Sequence, residues 1–440
     1  LTSTYNSGYM TGDIKGAWLS DTDTTNVVGT ELVTNGTFDT DTTGWTAETG
    51  GSSIAWNASG YIDVTRLNSP TAGVFTVQQA ITGLVVGRVY YITGTIITAS
   101  VQASILVGDD NTGTPIYTDS HILYSNNAET NGFGTFPAEA KLVFRATATT
   151  MYIGLGARSD ATGTATFDNI SVRLADADRS VNNNGLQVNG TITKTAVATG
   201  ADLVAYSGFS SSNYLEQPYG SHLDFGTGDF SFMCWVKGDG GTSGYTHLIN
   251  MAENSQGSPG NVQLKLTKSD WLPYLYGQGN QLVASSSAAP SSTWFHLVAG
   301  RKGGVFFMYR DGKDVSSNAL TSAFDIGNYP VRIGEASTSN EPATGMSMAL
   351  VRVSATAPTA AQIKEIYEAE KPLFQENAKC TLNGTSDAVQ CLAYDDSTSE
   401  LVVGTSSSLS VFKGLRRVDE ELGNFTEVSQ QGGMRITEKA

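Results

Sequence analysis

The feature that most constrains this 440-residue chain is a succession of short segments in which apolar and polar residues alternate, divided by clusters of Gly, Asn, Asp, Ser and Thr. Residues 61–64, 74–77, 90–96, 103–107, 142–146, 151–155 and 165–172 read this way, and so do 229–237, 294–301, 305–313, 331–334 and 348–353. A period of two places every second side chain on one face of an extended strand, so each run has one face for a core. The residues between them are those that turn a chain. One helix is expected: residues 360–367, with Thr359 as its cap and Pro372 beyond its end. The fold class expected is all-β, with two β-sandwich (jelly-roll) domains in series and a small C-terminal β-meander.

A chain of this length holds roughly two to four domains. Residues 1–30, polar with Tyr5, Tyr9 and Trp18 among Gly, Asp and Thr, read as an N-terminal arm or the end of an upstream domain. Residues 31–174 read as one sandwich, 175–205 as a linker that includes a possible strand at 190–197, and 206–372 as a second sandwich. The second has a hairpin turn at Asp311-Gly312. Residues 373–440 read as a three-stranded meander resembling one blade of a β-propeller, with Glu420 and Glu421 in a charged tail. One blade alone cannot bury its faces, so the preceding domain, a partner chain or an upstream propeller of a longer protein is expected to cover it.

The net charge of −16, from 26 Lys and Arg against 42 Asp and Glu, disfavours a nucleic-acid partner, which needs clustered cations, and none is expected. It also disfavours an anionic membrane surface. No stretch approaches the ~20 apolar residues that span a bilayer, so no membrane insertion is expected. The chain starts at Leu1 without a signal-peptide pattern: either a segment has been removed or the sequence belongs to a longer polypeptide. Three cysteines do not make a disulfide framework. Cys234 lies in an apolar run and reads as buried, while Cys380 and Cys391 flank a short loop and are close enough in sequence to pair.

Glu31-Leu32-Val33-Thr34-Asn35-Gly36-Thr37-Phe38, Thr43-Gly44-Trp45 and Phe167-Asp168-Asn169-Ile170 resemble the first and last strands of carbohydrate-binding-module jelly rolls. That resemblance implies a structural calcium ion joining those strands in the first sandwich, with Glu31 and Asp168 at the matching positions. Alternatively, both carboxylates cap turns without metal. Residues 229–237, 294–301, 305–313, 331–334 and 348–353, in that order, resemble a laminin-G-like domain of the concanavalin A type. The acidic residue that such domains place near the last of these strands for calcium is missing around Ala349.

Catalytic patterns are scarce. A retaining glycosidase needs two carboxyls about 5 Å apart, and no alternating acidic run supplies them. Glu365, Glu368 and Glu370 fall on the expected helix, and Asp109 and Asp110 in a turn. His121, His222, His247 and His296 show no metal spacing, and His296 reads as an ordinary strand position. No nucleophile elbow or phosphate loop is evident. The chain is therefore expected not to be an enzyme. Sugar binding is the better reading, because aromatic faces stack on sugar C–H surfaces while planar polar groups hold hydroxyls. Trp56, Tyr61 and Tyr124 are the carbohydrate-binding candidates in the first sandwich, and Trp271, Tyr274 and Tyr276 in the second. Each has the alternative of simple packing, and Trp45, Trp235 and Trp294 are assigned to cores.

Residues 5–19 (Tyr5-Asn6-Ser7-Gly8-Tyr9 through Gly16-Ala17-Trp18-Leu19) and Tyr214-Leu215-Glu216-Gln217-Pro218-Tyr219, with this order of domains, resemble tail fibre or tail-associated adhesion proteins of marine tailed bacteriophages. The resemblance implies a virion tail location, extracellular on the particle. It also implies binding to host surface glycan, contact with other virion tail proteins and assembly as a homotrimer. Two alternatives stand beside it: a structural decoration or spacer protein without ligand, and a secreted bacterial glycan-binding or glycan-degrading protein.

Overall fold

The computed structural model describes residues 12–47, 52–67, 77–108, 123–124, 137–158, 162–182, 185–238, 244–252, 258–327, 329–335, 341–386 and 388–440. Tyr5, Tyr9, Val74-Phe75-Thr76, Asp109, Asp110 and His121 lie outside them, as does the side chain of Tyr124. The chain forms two compact units. One holds 28–177 and 185–189; the other holds the described part of the residues up to Val27, then 178–182 and 190–440. The architecture is nearly all-β, as the alternation requires.

Among the described residues, the first unit is a sandwich of two antiparallel sheets of five strands each. One runs Ser52–Asn57, Tyr61–Arg66, Gly163–Asp176, Val89–Ala99, Ala138–Arg145. The other runs Thr46–Ala47, Val77–Thr82, Thr150–Arg158, Gln102–Gly108, Leu123–Tyr124. The period of two is visible in Tyr61–Arg66, where Ile62, Val64 and Arg66 are buried and the residues between them are not. Ile62, Val64, Ile92, Ile105, Ile153 and Phe167 help fill the core. Trp45 belongs to that core, 5.6 Å from Phe38, with its indole N–H on the Asn35 carbonyl at 3.2 Å.

The second unit contains the other sandwich. One sheet runs Ile14–Trp18, Met346–Ser354, Phe230–Gly238, Phe295–Lys302, Val305–Arg310, Lys313–Asp314. The other runs Tyr214–Gln217, Val331–Ile333, Tyr245–Met251, Val262–Thr267, Pro273–Gly277, Asn280–Ser285, Ser316–Ser317. Two segments expected outside the sandwiches carry strands. Ile14–Trp18 pairs with the far end of Met346–Ser354, with Ile14 opposite Ser354, and Val204–Ser207 pairs with Leu186–Ala196. Ala17 and Trp18 are fully buried, so their apolar surface favours docking over an extended arm.

The expected helix forms at Ala360–Glu370. Thr359 Oγ1 accepts from the Gln362 N–H at 3.2 Å, and Gln362 Oε1 accepts from the Thr359 N–H at 2.8 Å, a reciprocal capping box. Ile363 and Ile366 pack on Met233 and Val298 of the first-named sheet. Thr359→Ala will cost about 1 kcal/mol, the usual worth of such a cap, read as a lowered urea midpoint at unchanged slope.

The C-terminal segment has four meander strands rather than three: Val389–Asp395, Glu400–Thr405, Ser408–Lys413 and Arg416–Leu422, followed by the hairpin Phe425–Gln431/Met434–Lys439. Glu420 and Glu421 are in the fourth strand, opposite Ser410 and Leu409, not in a tail. Arg435 pairs with Asp419 at 2.8 Å and Lys439 with Glu421 at 2.5 Å. The hairpin covers one meander face by placing Phe425 and Val428 against Val402, Leu409 and Val411, and Leu382 packs on Val403 and Phe412. The chain thus supplies its own cover for part of the blade. All three cysteines are free thiols, so Cys380 and Cys391 are not paired. Burial pushes the Cys234 thiol up to about 12.

Candidate functional site

The sheet of the second sandwich that begins at Tyr214–Gln217 has an apolar and a polar face, and the strand period decides which residue goes where. Along Val262–Thr267, Val262, Leu264 and Leu266 face the core, and Gln263 and Lys265 face the opposite side. Antiparallel register aligns equivalent residues of neighbouring strands into two rows across that side. Glu216 is opposite Arg332, Arg332 opposite Asn250, Asn250 opposite Gln263, and Gln263 opposite Tyr276. In the second row His247 is opposite Lys265, and Lys265 opposite Tyr274.

The floor of this face is deep. His247, Asn250 and Gln263 are 0% exposed and Lys265 1%, while Tyr245 at the rim is 37% exposed. Lys265 Nζ is held among three tyrosine rings, 4.3 Å from the centroid of Tyr276, 4.7 Å from Tyr245 and 5.3 Å from Tyr274. Such contacts favour a cation; burial acts the other way and lowers the ammonium pKa to about 8, with the Glu341 carboxylate opposing the shift. His247 is lowered to about 4 by burial and by the charge of Lys265, so it is neutral near pH 7. Burial raises the Tyr274 hydroxyl pKa, keeping that group protonated.

Polar satisfaction on the floor is incomplete. His247 Nδ1 is 3.1 Å from the Glu341 carbonyl and Nε2 is 3.4 Å from Gln263 Oε1. A neutral imidazole has one N–H, so with that proton on Nδ1 the amide nitrogen of Gln263 must turn toward Nε2. Either way round, one polar atom of Gln263 has no protein partner. Neither Nδ2 nor Oδ1 of Asn250 has one, and neither does Glu341 Oε2. At one edge, Arg332 is bound by Glu216 and by Glu335 at 3.0 Å, with the Tyr214 ring 4.9 Å from its guanidinium carbon.

Tyr276 is half-buried at the margin of this face, in reach of a ligand. Tyr274 is on the same face but only 6% exposed, a wall of the lysine cage rather than a stacking platform. Trp271 is elsewhere, in a turn at φ +51°, with its ring against Gly238. In the first sandwich Trp56 is 43% exposed, its indole N–H donating to the Phe38 carbonyl at 2.7 Å, and Tyr61 is half-buried on the next strand. The sequence reading missed Glu216, Arg332, His247, Asn250, Gln263, Lys265 and Glu341. The polar alternation in Val262–Thr267 was the available signal, but alternation does not separate a buried polar face from a solvated one.

Glu31 and Asp168 do not fit a shared calcium ion. Glu31 accepts from the Val33 and Val172 N–H groups and the Ser171 hydroxyl at 2.6–3.0 Å, and Arg173 is 3.3 Å away. Its lone pairs are therefore occupied and a cation already faces it. Asp168 binds the backbone and side chain of Asn169 instead. Among the described residues no group of three or more His, Cys, Asp or Glu is placed to hold a metal.

Residues 209–364 match the family model described as the concanavalin A-like lectin/glucanases superfamily. No curated protein matches the chain. Among solved structures, domain 4 of an extracellular arabinanase from Geobacillus stearothermophilus aligns at 16% identity, covering 43% of this chain and 92% of that one, TM-score 0.34. The binding domain of Paraclostridial Mosquitocidal Protein 1 aligns at 13%, covering 53% and 61%, TM-score 0.38. Trypanosoma rangeli sialidase aligns at 10%, covering 73% and 68%, TM-score 0.34. At such scores these overlaps carry no weight for function. From the family match and the strand order, the second sandwich is a laminin-G-like, concanavalin A-type jelly roll.

Proposed function

We propose that the chain is a non-catalytic adhesion protein that binds host-surface glycan through the polar face of its second sandwich. The observation that carries this reading is the fully buried Asn250 amide, unpartnered beside an incompletely satisfied Gln263. A buried polar atom left unpaired costs about 1–3 kcal/mol; a polyhydroxylated ligand supplies both donors and acceptors, and because these amides have no exposed surface it reaches them only when the half-buried Tyr276 ring, opposite Gln263 at the margin, turns aside. Amides, an ion-paired carboxylate and tyrosine rings are the polar and apolar groups that sugar hydroxyls and C–H faces require. A non-catalytic role is favoured because Glu216 and Glu335, the carboxylates at the edge, share one guanidinium, while the third, Glu341, faces the cation of Lys265. The resemblance of residues 5–19 and 214–219 supports the narrower reading of a tail-fibre-type protein, extracellular on the virion, homotrimeric and joined to other tail proteins.

On a glycan array, the parent protein will give discrete signals. The Asn250→Ala/Gln263→Ala double variant will lose about ten-fold in affinity, as expected for two ligand hydrogen bonds of ~0.5–1.5 kcal/mol each, measured at a temperature where circular dichroism shows it still folded. A blank array for the parent, or undiminished binding by the variant, would overturn the assignment. A monomer mass in light scattering would overturn the trimeric fibre reading while leaving glycan binding intact.

A further inference from the structure

The opposite sheet of the same sandwich carries a second cavity, of about 650 Å³, between the Asp311-Gly312 hairpin turn and the helix Ala360–Glu370. We propose that this cleft is a separate binding site for the anionic group of an acidic saccharide, a sulfate ester or a carboxylate. Four cations line it: Arg310, Lys313, Lys364 and Lys371, against the carboxylates of Asp311 and Glu368. With four cations against two carboxylates, the cleft is locally positive in a chain of net charge −16, and such a site attracts anions.

The cations are available to a ligand. No carboxylate lies within 4 Å of Lys313, Lys364 or Lys371 among the described residues. Arg310 is held in place by the carbonyls of Ser287 and Ala288 at 2.9 and 2.6 Å and by the Ser287 hydroxyl at 2.9 Å, which leaves part of its donor fork open. The Tyr367 ring stacks on Trp235 at 5.7 Å and lies 5.3 Å from Lys371 Nζ, so it forms a fixed wall of the cleft and holds that ammonium beside it.

The walls are fixed before any ligand arrives. Asp311 donates its N–H to the His296 carbonyl at 3.0 Å and accepts from the His296 N–H at 2.9 Å, locking the turn to its neighbouring strand. Gly312 has φ +73°, and a Cβ there would lie 3.3 Å from Lys364 Cα and from the Tyr367 ring, so the turn packs directly on the helix. The volume is in the range of small-molecule sites, and a fixed turn and helix lessen the ordering cost of binding.

Calorimetric titration of the intact protein with a sulfated hexasaccharide, its desulfated counterpart and inorganic sulfate tests the proposal. The sulfated sugar will bind, weakening several-fold from 50 to 300 mM salt, and the desulfated sugar will not. Lys313→Glu/Lys364→Glu will lower affinity at least ten-fold, whereas two charge reversals elsewhere, Lys237→Glu/Lys413→Glu, will not. Equal loss in both double variants, or inorganic sulfate binding as tightly as the saccharide, would overturn the assignment. Because the cleft is on the other sheet, Asn250→Ala/Gln263→Ala will retain this binding, which separates failure here from failure of the glycan-binding face.

Discussion

Replacing Glu370 with alanine will lower the stability of the second unit by about 3–5 kcal/mol, the usual consequence of leaving a buried charge alone. Glu370 ends the helix Ala360–Glu370 with its side chain fully buried. One carboxylate oxygen accepts from the Trp235 indole N–H at 2.8 Å, and the other binds Arg352, whose side chain is 3% exposed. The remaining contacts of Arg352 are poor: Nη1 meets the sulfur of Met233 at 2.8 Å and Nε has no partner. Burial raises the carboxyl pKa of Glu370, and Arg352 and the Trp235 N–H oppose that rise. Without the carboxylate, a guanidinium and an indole N–H both remain in an apolar pocket under Phe374, whose ring centroid is 4.2 Å from that of Trp235. Arg352→Met/Glu370→Leu removes both charges and will regain most of the loss, because two apolar groups of similar size do not carry the desolvation penalty. Urea unfolding of the single and double variants measures this. A Glu370→Ala loss under 1 kcal/mol would mean that water reaches the pair.

The second large effect is acid lability. His247 and His296 are both fully buried, and their pKa values are lowered to about 4 and about 3. Burial is the main cause for each; Lys265 adds to it at His247 and Arg352 at His296. In the unfolded chain each takes up a proton near pH 6.5. Between those values the unfolded state binds more protons, so stability rises with pH through the window. The contribution is complete above about pH 6.5 and lost as pH falls through 4 and then 3. At about 1.4 kcal/mol per pKa unit the two sites amount to roughly 3 and 5 kcal/mol. His296→Phe preserves a ring beside Trp235 and Tyr367, and His247→Gln preserves a hydrogen-bonding group. Each will flatten the stability-against-pH curve between pH 6.5 and 4 relative to the parent. Parallel curves would show that the imidazoles are protonated in the folded state.

The fold was legible because alternation is a local property. Ile62 and Val64 need only their own strand to declare a buried face, Thr359 and Gln362 declare a helix start, and Asp311-Gly312 declares a hairpin. What stayed hidden depends on the rest of the chain. Arg416–Leu422 has five charged residues among seven, so nothing in its pattern says strand; it is held by backbone pairing with Ser408–Lys413 and by Arg435 and Lys439. Gln263 and Lys265 alternate with leucines as solvated residues would, and only the folded sheet reveals that they are buried. Of the six aromatic candidates, Tyr276 and Tyr274 fall on the polar face because they share its register, whereas Trp271 is diverted by a left-handed turn. Glu31 was recognised as joining the first and last strands, but it does so through hydrogen bonds and Arg173 rather than through an ion.

The pairing of Ile14–Trp18 with Met346–Ser354 has a consequence for biosynthesis. Ile14 leaves the ribosome some 340 residues ahead of its partner Ser354. At roughly 5–20 residues per second, that is a delay of about 20–70 seconds. During this time the intervening jelly roll is complete and can fold, while Trp18 waits without the sheet that will enclose it. Closure of this sheet edge is therefore a late step in synthesis, because an apolar strand must wait for a partner not yet translated.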